Sequence, residues 1–170
     1  MQGEIEMKNI KIIKVNEGDS QFLQELMNNE SVLTSLNEVP TTIEVWTDAI
    51  SEWEQDADEE DFIIFDDSMP IGWLGINGLS TNEKKAYIKM IALLPKYQNS
   101  GIGQYVINNL IENLKLQGYV SIGLYTDQSN MQAQQCYTKC GFEVTAMIEQ
   151  KMSNGAVVKR YKMERLLKEH

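Results

Sequence analysis

Six residues in the middle of the chain, Gln98, Asn99, Ser100, Gly101, Ile102 and Gly103, place two glycines just before a run with helical spacing. Amide hydrogens in a helix's first turn have no intrahelical acceptor and carry the positive end of its dipole, so glycines there let an anion come close. The chemistry suited to residues 95 to 106 is therefore the gripping of phosphate. A Walker loop is ruled out, because Gln104 follows Gly103 where lysine is required. A dinucleotide fingerprint fits only in part. Val106 occupies the place of its third small residue, and Pro95 to Ser100 separate the strand from Gly101, although Asp127 stands at a suitable distance for a ribose contact. A tight turn that merely begins a helix is the structural alternative.

Composition narrows the other devices. The one histidine is His170, the final residue of the sequence, where fraying is expected. Ser-His-Asp, Cys-His and histidine-metal arrangements need an imidazole held rigidly, so they are excluded. Cys136 and Cys140 lie four apart on an expected helix, in neither a Cys-x-x-Cys pattern nor a zinc ligand set, so they read as reduced thiols and no metal site is expected. Acid-base work falls to a carboxyl group, a tyrosine, a lysine or water.

The elements that must position these residues follow from periodicity. "NIKIIKV" alternates as a strand, and "DSQFLQELMNN" pairs Phe22 with Leu26 and Leu23 with Met27 behind an Asp19 or Ser20 cap. After Pro40, Thr41 and Glu44 fit a capping box, and Ile43, Trp46, Ile50 and Trp53 form an apolar stripe. "DFIIF", the turn "DDSMP" and "IGWLGING" read as a hairpin, and "KKAYIKMIALL" as the next strand. A helix then runs through Ile102, Val106, Ile107, Leu110, Ile111 and Leu114 to Gly118. "VSIGLYT" reads as a strand covered on both faces, "NMQAQQCYTKC" as a short helix, and "FEVTAMIEQ" and "VVKRYKMERLL" as closing strands. The order, β, α, α, three strands, α, β, α and two strands, predicts an α/β or α+β fold with a mixed sheet.

With 170 residues, 42% hydrophobic and 24% charged, the chain is expected to form one globular domain over residues 1–170. A net charge of −10 argues against nucleic acid as a partner. No apolar run approaches the roughly 18 residues that span a bilayer, and the start lacks a signal peptide's layout, so a cytoplasmic protein without a membrane partner is expected. The acidic run in residues 52 to 62 reads as a solvated helix end, with attraction of a cationic substrate as the functional alternative.

The glycine segment fits the pattern Gln/Arg-x-x-Gly-x-Gly/Ala in full. With "MIALLPKY" before it and "NMQAQQCYTKCGF" after it, similar to Asn-x-x-Ala-x-x-x-Tyr-x-x-x-Gly-Phe, the sequence resembles the GNAT superfamily of N-acetyltransferases from about Asp61 to Leu166. The resemblance implies a mostly antiparallel mixed sheet of six to seven strands flanked by about four helices, with central strands 86 to 94 and 120 to 126 splayed apart. It implies that Gln98 to Gln104 hold the pyrophosphate of acetyl-coenzyme A, the co-substrate. Main-chain groups of Ile91, Ala92 and Leu93 would meet the pantetheine arm, one N–H receiving the thioester oxygen. Asn130 would contact the pantetheine, Ala133 would leave room for it, and Tyr137 would donate to the departing sulfur. Phenol is a weaker acid than a thiol, so a strong hydrogen bond describes that donation better than full transfer.

The activity implied is direct acetyl transfer to a primary amine of a small molecule or peptide, with a homodimer as the candidate assembly. The alternative is a module of the same fold that binds acyl-coenzyme A without turnover. One departure keeps it open: many members carry a carboxylate in the strand before the loop, where "AYIKMIALL" has none. A lysine-like amine costs about 4.6 kcal/mol to deprotonate at pH 7. The base is unassigned among Glu38, Asp127 and a water chain. Trp46, Trp53 and Trp73 are either core or walls of an acceptor pocket, and Gly72 and Gly75 are candidates for bending their strand near the cleft.

Overall fold

Alternating side chains make β1 (Ile10–Lys14), and Leu23, Leu26 and Met27 form the buried stripe of α1 (Ser20–Asn28). Asp19 does not cap that helix. Its carboxylate accepts from Asn16 N–H at 2.9 Å and closes a capping box on the short 3-10 turn that precedes α1. The computed structural model describes residues 7–167, so His170 lies outside the described residues.

Between the two expected helices the structure contains a third, α2 (Glu30–Leu36). Only Val32 is buried in it, so periodicity carries no signal. Its ends define it instead: the Asn29 side chain accepts from the N–H groups of Ser31 and Val32 at 3.1 and 3.3 Å, and Asn37 closes it with φ of 55°. The stripe through Trp46 and Ile50 is buried as expected in α3 (Ile43–Gln55), but the Thr41–Glu44 capping box does not form. Helix α3 begins after Thr42, and Thr41 is engaged elsewhere. Its hydroxyl accepts Trp46 Nε1 at 2.8 Å and its main chain is clamped by Asn28.

The strands β2 (Glu60–Asp66), β3 (Met69–Asn77) and β4 (Lys85–Leu93) form an antiparallel meander. Pro70 lies within β3 opposite Phe65, and the turn is made at Asp67, whose φ is 52°. Then come α4 (Ile102–Leu116), β5 (Ser121–Asp127), α5 (Met131–Lys139), β6 (Glu143–Lys151) and β7 (Val157–Leu166). Seven strands in the order β1-β2-β3-β4-β5-β7-β6 form one mixed sheet, with five helices where about four were expected. The parallel neighbours are β4 and β5; the remaining pairs are antiparallel.

Two cores flank this sheet. Helix α4 buries Ile102, Val106, Ile107, Leu110, Ile111 and Leu114 against residues such as Ile71, Leu74, Ile122 and Leu124. The opposite face packs Leu23, Leu26, Trp46 and Ile50 on Ile63 and Trp73. Each buried aliphatic side chain contributes about 1.5–3 kcal/mol. Trp73 is sandwiched, stacked on Trp53 at 5.3 Å and edge-on to Trp46 at 5.5 Å. Among the described residues no helix is long and apolar enough to cross a membrane.

One charged group lies inside the second core. Asp61 is 2% exposed, and its Oδ1 accepts Trp73 Nε1 at 2.8 Å and lies 3.2 Å from Lys89 Nζ. Burial first, then neighbouring Glu59, pushes its pKa up to about 7 against the pull of Lys89 and Trp73. An acid raised in this way binds its proton more tightly in the folded chain than in the unfolded one. Its contribution to stability is therefore full at low pH and declines as pH climbs from 3.8 to about 7. Thermal unfolding followed across that interval should show a midpoint that falls more steeply in the parent than in Asp61→Asn; parallel curves would contradict the assignment.

Candidate active site

The loop after β4 is shaped by two left-handed residues, Asn99 with φ of 57° and Gly101 with φ of 87°. Gly101 occupies the cap position of α4 and supplies no side chain, so the helix starts without a side-chain cap. Its first backbone bond runs from Tyr105 N–H to Gly101 O at 3.0 Å, which leaves the amides of Ile102, Gly103 and Gln104 ahead of the ladder. A methyl group at Gly103 would meet no protein atom closer than Cys136 Sγ at 3.8 Å, an ordinary contact. Protein packing therefore does not require glycine there, and the space before these amides is left open.

Around this loop the other expected residues take distinct positions. Gln98 Nε2 donates to Leu93 O at 3.0 Å and pins the loop to the end of β4. Asn99 Oδ1 accepts from Gln132 Nε2 and ties the loop to α5. Ser100 donates its hydroxyl to Tyr97 O, and the Ile102 side chain is fully buried, so neither side chain lines the cleft. Gly101, Gly103 and Gln104 do line it, as do Asn130, Ala133 and Tyr137 from the start and middle of α5.

Facing the loop is the break in the sheet. β4 and β5 pair only from Lys85–Ser121 to Tyr87–Gly123 and then separate, as the splayed central strands require. Leu94 N–H donates to Ile71 O at 2.8 Å and Ala92 stands opposite Trp73, so by antiparallel alternation Ala92 turns its main chain toward β3. Ile91 and Leu93 turn theirs toward the gap. Gln98 already occupies the Leu93 carbonyl, which leaves the N–H groups as donors to an incoming chain. Ala92 forms part of the wall. The cleft holds about 540 Å³.

At its far end the cleft is lined by Ser35 and Leu36 of α2, Glu38, Tyr125, Asp127, Gln150, Met152 and Arg160. Sequence reading did not single out Arg160. Its Nε donates to Asp127 Oδ1 at 3.0 Å, its Nη1 to Gln150 Oε1 and its Nη2 to Tyr125 O. Asn37 donates to Asp127 Oδ2 at 2.8 Å, so both oxygens of Asp127 are engaged and it is poorly suited to act as a base. Glu38 accepts from Ser153 Oγ. The three tryptophans do not line the cleft; Trp46 and Trp73 are core, and Trp53 lies under Lys89.

Two starting points differ in electrostatics. Helix α5 is capped, with Asn130 Oδ1 accepting Ala133 N–H at 3.1 Å, while α4 is not. Burial raises the Tyr137 pKa above the ordinary phenol range, helped by neighbouring Cys136 and opposed by Arg160, so the hydroxyl keeps its proton at neutral pH. Among the described residues nothing in the protein bonds that hydroxyl, and its ring leans on Phe142 at 6.1 Å. The neighbouring Cys140 thiol pulls Cys136, also on the cleft, down to about 7 against the opposing effect of burial.

Comparison with known proteins agrees with this geometry. The profile of the acetyltransferase (GNAT) family matches residues 24–142. No curated protein matches the chain by sequence. Among solved structures, the spermidine N-acetyltransferase of Vibrio cholerae in complex with CoA and spermine superimposes with a TM-score of 0.83 at 20% identity, covering 94% of this chain and 96% of the other. A dodecameric structure of that enzyme in an intermediate state gives 0.78 at 21% identity, covering 94% and 95%. A chimera of the same enzyme with hSSAT gives 0.84 at 20%, covering 94% and 96%. The chain belongs to the GNAT family of acetyltransferases.

Proposed function

We propose that the chain, as one acetyltransferase domain over residues 1–170, carries the acetyl group of acetyl-coenzyme A directly to the primary amine of a small cationic acceptor. The observation that carries this reading is the uncapped start of α4 opening onto the parted strands β4 and β5. The amides of Ile102, Gly103 and Gln104 would hold the diphosphate, and the N–H groups of Ile91 and Leu93 would take the pantetheine as an added strand. One of these donors can also receive the thioester oxygen as charge builds on it. Tyr137, protonated at neutral pH, would hydrogen-bond the departing thiolate, and Asn130 and Ala133 would flank the pantetheine.

The amine enters from the opposite end, past Glu38, Ser35 and Tyr125. A polyamine-like acceptor fits the net charge of −10 and the spermine-bound neighbour. We assign the enzyme to the cytoplasm, where Cys136 and Cys140 persist as the free thiols seen here. We also assign it to a homodimer, because all nine residues of edge strand β6 are exposed, including Val144 and Met147 at 52% and 57%.

Three measurements test this reading. Gly103→Ala should leave the thermal midpoint near that of the parent while weakening coenzyme A binding at least about tenfold by calorimetry, since the added Cβ meets no protein atom closer than Cys136 Sγ at 3.8 Å; unchanged affinity would move the diphosphate elsewhere. With an amine panel and thiol release as readout, Tyr137→Phe should lower kcat about 10- to 100-fold, the worth of a hydrogen bond to a charged group. A fully active Tyr137→Phe would remove the donor role. Light scattering should give twice the chain mass, and a monomer at every concentration would remove the dimer.

A further inference from the structure

The register of β3 on β4 jumps between Gly75, opposite Met90, and Ile76, opposite Ile88, so Lys89 is the bulged residue with no partner across the strand. The bulge turns its ammonium into a built pocket. Glu59 Oε2 and Asp61 Oδ1 pair with it, and the rings of Trp53 and Trp73 lie 4.4 and 5.2 Å away. Gly75 is bare to admit the cluster: a Cβ there would stand 2.6 Å from Asp61 Oδ1 and 2.8 Å from Lys89 Cε.

Two features separate this cluster from a structural salt bridge. Lys89 lines the cleft with its side chain 27% exposed, whereas the Asp61 side chain is 1% exposed. Asp61 Oδ2 is buried without a hydrogen-bond partner among the described residues, so a lone pair is kept free at a cost that a purely structural pair would avoid. Of the carboxylates near the cleft, Asp127 has both oxygens bonded, and Glu38 serves Ser153. Asp61 differs from both in being buried against the cleft-lining Lys89 with one oxygen unpartnered among the described residues.

Resting on the acetyltransferase reading above, we propose that Asp61, acting through Lys89, receives the proton that the acceptor ammonium must lose before attack. Lys89 first gives one hydrogen to Asp61, an N–H bond breaking as an O–H bond forms, and the lone pair this frees on Nζ then takes a proton from the acceptor, whose N–H bond breaks. The acceptor is left as a neutral amine, Lys89 ends with its three hydrogens, and Asp61 holds the proton. The groups facing Asp61 are Glu59 on the same side of the sheet, Lys89 from β4 and the indole N–H of Trp73 from β3, with Trp53 of α3 beyond Lys89. Burial holds Asp61 near neutrality, where a proton acceptor works best.

The test compares an alkyl diamine, charged at pH 7, with trifluoroethylamine, which is neutral there and needs no base before it attacks. Asp61→Asn should lose about 100-fold in kcat/KM on the diamine and no more than about threefold on the neutral amine. Lys89→Arg preserves the charge but cannot release a proton, so it should show the same selective loss. Equal losses on both amines, or Lys89→Arg as active as the parent on the diamine, would overturn the proposal. Tryptophan fluorescence gives a readout independent of turnover: the parent should titrate near pH 7 and Asp61→Asn should not, and a parent without that transition also overturns it. A parent inactive on every amine would instead sink the acetyltransferase reading, and the relay with it.

Discussion

Parallel neighbours β4 and β5 share three residue pairs and then diverge, and the cleft opens along that divergence. Desolvated main-chain groups without partners cost about 1–3 kcal/mol each, so such a gap in a sheet needs support. Both flanks are secured. β4 is held by β3 across its outer half, and β5 pairs with β7 through seven residues. Helix α4 lies beneath with six buried apolar side chains, so the opening is a fixed part of the core.

Charge is apportioned along this opening with some economy. The amide-rich end at α4 has no side-chain acceptor of its own, while α5, on the same cleft, is closed by Asn130. Positive potential is thus concentrated at one place along the groove. Toward the other end Arg160 is neutralised by Asp127, which removes both a cation that would repel an amine and a carboxylate that would hold it too tightly. The cluster around Lys89 is set apart from both, on the face of the sheet occupied by α1 to α3.

Much of this was legible in the sequence because it depends on near neighbours. The stripe from Ile102 to Leu114, the buried run of β5 and the glycine spacing from Gly101 to Gly103 are local patterns, and the structure contains each of them. Helix α2 was not legible, since one buried residue, Val32, gives no period, and its signal lay in Asn29 and Asn37 at its ends. Thr41 misled because a tertiary partner, Trp46 Nε1, took the hydroxyl that local spacing reserved for a cap. The absence of a carboxylate from β4 was read correctly, yet acidic groups reach Lys89 from Glu59 and Asp61 across the sheet. That meeting depends on a register slip at Gly75, and no single strand's pattern encodes a slip between two.

The narrow seam between β4 and β5 also has a mechanical meaning. Three rungs and the helices packed across it are what join the β1 to β4 half of the sheet to the β5 to β7 half. A co-substrate held in the seam would touch both halves at once and act as a rivet between them. By mass action its occupancy would add to the free energy of folding and couple the lifetime of the protein to the supply of the molecule it consumes.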